Sequence, residues 1–262
     1  MRSSLLVWLC VVPLMADELR EAPNAGAVPA NQLSVAGNAC GPAALLNAFR
    51  FGSESWRRPL DGVSGKNDPE RILTIIREVG MRPSKHVPGR ARWSKRGVNL
   101  ADLRDMGNEM AAGKQLPQLR EDVFFAKNRE KPEKLLRRVH DRLETSMERG
   151  FPAVLSLRRY VHRKQDDGAL HWVAIDAHFV TLAAVAKRLG RKSTSFQVSY
   201  IDPWGGKLRE GRVEIPSPAL FLDGAGNPAC LDAAFPHAAV GKESVRPGEK
   251  SVLVLAAAIG RW

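Results

Sequence analysis

Two hydrophobic rhythms divide this chain at Gly150. Before it, apolar side chains return every three or four residues, the spacing that lines one face of a helix. Ala43, Ala44, Leu45, Leu46, Ala48 and Phe49 predict a strongly apolar helix that starts near Pro42 and stops near Gly52. Proline in a first turn sacrifices no bonded donor. A second helix opens at Asp68-Pro69-Glu70, carries Ile72, Leu73, Ile75, Ile76 and Val79, and is closed by Gly80. Asn99 is placed to cap a third with Leu100, Leu103, Met106 and Met110. A fourth runs from about Lys131 to Arg149 on Leu135, Leu136, Val139, Leu143 and Met147, stopped by Gly150.

Beyond Gly150 the runs become short and β-rich. Residues 151–157, 171–180, 195–201 and 251–258 each suit a strand, the period of two sending His171, Val173 and Ile175 to one face and Trp172, Ala174 and Asp176 to the other. The expected class is α+β, with N-terminal helices packed on a mostly antiparallel C-terminal sheet. The 262 residues, 44% of them hydrophobic, are enough for one sizeable core.

The ends and the charge refine this picture. Residues 1–16 combine Arg2 with an apolar run from Leu5 to Met15 and read as a secretory signal peptide, with a buried first helix as the alternative. That run falls short of the roughly 20 residues a membrane helix needs, so stable membrane insertion is not expected. Residues 17–31, rich in Ala, Pro and Gly, read as a leader or linker, so the expected domain spans 32–262, with a helical, basic insertion at about 53–130. The loop Pro83–Gly97 within it could cover a cleft as a flap or be an ordinary solvated connector. The formal net charge of +12 is scattered, without an aromatic-interleaved stripe or a zinc-finger pattern. It therefore points to non-specific contact with anionic cell-envelope polymers rather than to a specific nucleic acid.

The candidate chemistry centres on Cys40, in Asn38-Ala39-Cys40-Gly41-Pro42, where an extended segment turns into a helix. A thiol needs a neighbouring base to become a nucleophilic thiolate, and a helix N terminus adds a favourable partial charge. Downstream lie His171-Trp172-Val-Ala-Ile and Tyr200-Ile-Asp202-Pro-Trp204-Gly-Gly. The order Cys, His, Asp suits a nucleophile, its base and the group that orients the base. His171 alone could equally be a structural histidine, and Asp202 before Pro203 a turn residue. His162, Asp176 and His178 fall short of the ligand count and spacing of a zinc site, and no motif calls for a cofactor.

These three blocks together resemble papain-like cysteine peptidases of the bacterial bacteriocin-processing, double-glycine type (C39-like) and their stand-alone relatives. The resemblance implies a papain-like fold, a peptide or protein substrate, and Cys40 as nucleophile, His171 as base and acid, and Asp202 as its orienter. The oxyanion glutamine of that family lies about six residues before the cysteine, where this chain has Ser34; Gln32, eight before, or Asn38, two before, would have to serve. Gly41, Trp172 and Trp204 are candidates for the substrate cleft. The expected function is a cysteine peptidase, secreted or held in the periplasm or cell envelope. Its rival is a non-catalytic binding module whose Cys40 is inactive or disulfide-bonded to Cys230, the other cysteine left after the signal segment.

Overall fold

The computed structural model describes residues 18–35, 37–164, 166, 168–216, 229–238 and 240–262, so the expected signal peptide at 1–16 lies outside the described residues. Four helices fall where the apolar spacing places them, α1 Cys40–Phe51, α3 Asp68–Ile75, α4 Leu100–Met110 and α5 Pro132–Glu148, and a short α2 Glu54–Arg57 is added that the spacing does not call for. Asn99 caps α4 by accepting the Asp102 amide at 2.8 Å, and Asn67 caps α3 in the same way. α3 ends in a single π turn, Ile76–Gly80.

The strands are β1 Leu19–Glu21, β2 Trp93–Ser94, β3 Gly97–Val98, β4 Arg120–Val123, β5 Val154–Lys164, β6 Leu170–Ala186, β7 Ser195–Asp202, β8 Lys207–Glu214, β9 Leu231–Ala234 and β10 Lys250–Gly260. All except the β2–β3 hairpin join one antiparallel sheet, whose pairings run β6–β5–β10–β9–β8–β7 and return to β6. The architecture is thus a large antiparallel sheet with a few helices on it.

Two apolar cores share the sheet. One joins α5 through Leu135, Leu136, Val139 and Leu143 to Leu155, Leu182, Phe196 and Tyr200 of the strands. The other buries nearly all of α1: Ala43, Ala44, Leu45, Leu46, Ala48 and Phe49 are inaccessible, enclosed by α3, α4 and the sheet residues Val154, Phe179 and Ile259, and only Arg50 near the helix end is part-exposed. A helix so largely apolar has little face to offer water, so it becomes the centre of the helical layer. Thr181 of β6 ties it down by donating its hydroxyl to the Ala44 carbonyl at 2.7 Å.

Two expected boundaries need correction. Residues 17–31 are no loose leader from residue 18 onward: β1 pairs with the end of β6, and Ala22 and Ala30 are buried. The backbone of Ala30 is held by the buried Asn47 side chain, its amide donating to Oδ1 at 2.7 Å. Nor is 53–130 a separable insertion, because α3 and α4 complete the core around α1 and β4 pairs with β10. The basic loop Pro83–Gly97 is not a free flap. Ser84 donates to Asp102, His86 bonds Asp105 at 2.9 Å, Arg92 is paired with Glu109, and Trp93 donates its indole N–H to the Asn38 carbonyl at 3.0 Å.

Candidate active site

Cys40 is the first residue of α1, and the first backbone bond of that helix runs from the Ala43 amide to the Ala39 carbonyl at 2.9 Å. The amides of Cys40 and Gly41 therefore precede the first intrahelical bond, at the end of the helix that carries the thiol. The turn leading into α1 is braced by the β2–β3 hairpin, with the Asn38 amide donating to the Lys95 carbonyl at 3.2 Å. Gly41 is explained by this bracing. A Cβ there would lie 2.4 Å from Val98 Cγ1, so any side chain would push the hairpin off the helix start. Gly41 is thus a close-approach residue under Val98, not the cleft lining expected of it.

The histidine that joins Cys40 is His178, not His171. His178 Nε2 and Asp202 Oδ1 are 2.9 Å apart, which leaves Nδ1 as the ring nitrogen for the Cys40 thiol, and His178 and Cys40 line the same cavity. β6 and β7 are paired as far as Thr181 and Ile201; His178 and Asp202 lie just beyond that last pair and reach across it. Two bulges in β6 bracket the position, one where Ile175 has no partner on β5 and one where Ala183 has none on β7. Each adds a residue and re-aims the side chains between them.

His171 belongs to the other end of the same strand. It stands opposite Arg163 on β5, seven residues from His178, which along an extended chain is roughly 23 Å. Trp172 goes with it and stacks on His162 at 5.0 Å, so its expected place in the cleft is also corrected. A sequence signal for His178 does exist. His171-Trp172-Val173 and His178-Phe179-Val180 repeat one His-aromatic-Val pattern, and the strand runs on to Ala186, six residues beyond the expected end. His178 stands where that strand passes from exposed to buried, the depth at which a base can be both sheltered and reachable.

Asp202, Gln32, Asn38 and Trp204 fall where the expectations put them, around Cys40. Together with Asp176, Ala177, His178, Val240, Gly241 and Glu243 they line one cavity of about 160 Å³. Asp202 Oδ1 also accepts the Trp204 amide at 2.8 Å, an Asx turn that locks the carboxylate in front of the imidazole. Gln32 is only 5% exposed, and its Oε1 is buried with no hydrogen-bond partner. Its own backbone amide donates to the Pro203 carbonyl at 2.9 Å, pinning it beside the Asp202 turn. Asn38 is exposed and both its backbone groups are spent on the hairpin, so Gln32 is the more buried of the two side-chain amides.

The electrostatics favour a charged imidazole. Burial pushes the His178 pKa down, yet hydrogen bonds to Asp202 and Cys40 and their charges outweigh it and lift the value to about 10. The imidazole is thereby held as a cation beside the Asp202 carboxylate. Cys40 and Cys230 are both free thiols and lie in different apolar clusters, so the disulfide considered from sequence is not formed. Among the described residues, no group of three or more His, Cys, Asp or Glu could hold a metal ion, and no helix is long and apolar enough to cross a membrane. No protein-family model, curated protein or solved structure matches this chain.

Proposed function

We propose that the chain is a papain-like cysteine hydrolase that cleaves amide bonds, peptides first among them. The observation that carries this reading is the convergence of Cys40, His178 and Asp202 in one cavity, with His178 bonded to Asp202 at 2.9 Å. In that reaction the Cys40 thiolate adds to the substrate carbonyl carbon, and the carbonyl π electrons move to oxygen. The oxyanion is met by the Cys40 backbone amide and the Gln32 side-chain amide. His178 gives its Nδ1 proton to the amine as the C–N bond breaks, leaving a thioester. His178, now neutral, takes a proton from water as that water attacks, and the thiolate departs. Asp202 holds the ring orientation throughout, as the orienting carboxylate does in a serine triad.

Export to the periplasm or envelope remains part of this proposal on the strength of residues 1–16, and loose contact with anionic polymers on the strength of the +12 charge. The non-catalytic reading has less to support it, since its blocking disulfide is not present.

The test is alkylation of the native, unreduced protein with iodoacetamide from pH 5 to 9, read by intact mass and peptide mapping. A single modification at Cys40, fast below the roughly 8.5 pKa of a free thiol, slowed by His178→Ala and unchanged by His171→Ala, is expected. Slowing by His171→Ala instead would return the base to that residue, and an inert Cys40 would overturn the hydrolase reading.

A further inference from the structure

The protein carries 40 Lys and Arg against 28 Asp and Glu, yet among the described residues no Lys or Arg lines the cavity around Cys40. Its charged rim is acidic. Asp202 is committed to His178 and Trp204, but Asp176 and Glu243 are exposed carboxylates with no ion pair to a described residue; Asp176 accepts only the adjacent Ala177 amide, at 2.8 Å. Their placement is built in. Gly241 adopts a left-handed φ of +58°, and a Cβ there would meet Asp176 Cβ at 2.8 Å, so the loop carrying Glu243 is seated directly on β6 beside Asp176.

Two cations close to this rim bond to backbone carbonyls, although the Arg159 charge also acts on Asp176. Lys242 donates to the Pro236 carbonyl at 3.0 Å, and Arg159, opposite Asp176 on β5, is buried and spends its Nε on the Val240 carbonyl. Two further features call for a donor. Gln32, nine-tenths buried in the same cavity, holds an acceptor oxygen without a partner. Trp204, 57% exposed at the rim, offers an indole face of the kind that attracts cations.

Resting on the hydrolase reading, we infer that the cleft selects amide substrates bearing a cationic group, an ammonium or guanidinium, close to the scissile carbonyl, with Asp176 and Glu243 as the specificity-determining residues and Trp204 as the face against which the cation lies. The selectivity is a local inversion of the molecule's charge: a basic surface holds anionic polymer, while the cleft admits the positively charged parts of what is attached to it.

A pair of thiol reagents of matched size tests this without a known substrate. Trimethylammonioethyl methanethiosulfonate is a cation and sulfonatoethyl methanethiosulfonate an anion; each transfers its thioethyl group to a thiolate and releases methanesulfinate, and the neutral methyl reagent reports the thiolate itself. The rates at Cys40 are normalised to those of a small free thiol. The expected cation-to-anion ratio falls about tenfold in Asp176→Asn/Glu243→Gln, and further in Glu243→Lys, while the neutral reagent reacts as in the wild type; the ratio also shrinks in high salt. An unchanged ratio at an unchanged neutral rate overturns the cationic preference and leaves the nucleophile standing. Failure of all three reagents at Cys40 overturns both readings. Arginyl amides with an acetylated N terminus, set against glycyl amides with a free one, then separate a basic side chain from a terminal ammonium as the group recognised.

Discussion

Cys40 and Cys230 are nearly equally hidden, at 8% and 5% exposure, and differ in almost everything else. Cys230 sits among Phe125, Val254 and Ala256 at the edge of the sheet, where burial and then the charge of Asp232 push its thiol up to about 12. Cys40 begins a helix, faces an imidazole held by a carboxylate, and lines a cavity. Burial alone therefore silences a thiol. What makes one usable is a partner that keeps a positive charge in the same low-dielectric place, together with an opening for substrate.

The largest effect should separate the two cysteines outright. Cys40→Ala is expected to abolish amide hydrolysis, a loss of about a thousandfold or more, whereas Cys230→Ala keeps wild-type turnover; comparable losses in kcat/KM for both would break the contrast. Next comes the partner. His178→Ala should cost about a thousandfold in kcat, and His171→Ala less than about twofold, since only the former reaches the reacting atoms. Gln32→Ala is expected to lower kcat by about a hundredfold with a modest change in KM, as loss of one oxyanion donor does; an effect confined to KM would remove it from that role.

Asp202→Asn should be milder, about tenfold, with a diagnostic pH profile. The carboxylate helps hold the imidazolium charged up to about pH 10, so its neutralisation must lower that pKa and move the alkaline limb of kcat/KM to lower pH. A limb that stays in place would show that Asp202 is only a turn residue. The smallest effect concerns stability around Cys230. Burial, and then Glu214, raise the Asp232 pKa from 3.8 to about 6. Its folded value lies above its unfolded one, so the cost of ionising it is fully present above pH 6, fades as pH falls, and is gone below 3.8. Asp232→Asn should stabilise the protein at pH 8 by about 1 kcal/mol, discounted for partial solvation, and not at pH 3.5; urea midpoints at the two pH values measure it.

Much of the helical half was legible because each signal is local. Asn99 and Asn67 cap their own helices, Gly150 ends α5, and the run of apolar residues from Ala43 to Phe49, broken only by Asn47, dictates burial without reference to anything distant. The sheet was less legible. β8 alternates Lys, Arg and Glu with few apolar positions and is held by its neighbours β7 and β9, and β1 is a three-residue strand with no pattern of its own. At the site, Cys40 and Asp202 were marked by their turns. The histidine beside them was not, because two His-aromatic-Val segments lie in one strand and differ only in depth.

By itself the chain determined that an apolar helix would begin at Cys40, that helices would precede a β-rich half, and that a cysteine, a histidine and an aspartate were available in that order. These follow from spacing and capping, which act within a few residues. Tertiary structure decided the rest: which histidine shares the cavity with the thiol, that Gln32 rather than Asn38 is the buried amide, that the basic loop braces the site, and that acidic side chains gather at its mouth. The physical reason is the sheet. Strand register and two bulges set which residues of β6 stand at the Cys40 end and where they point, and register comes from long-range pairing that no short segment encodes.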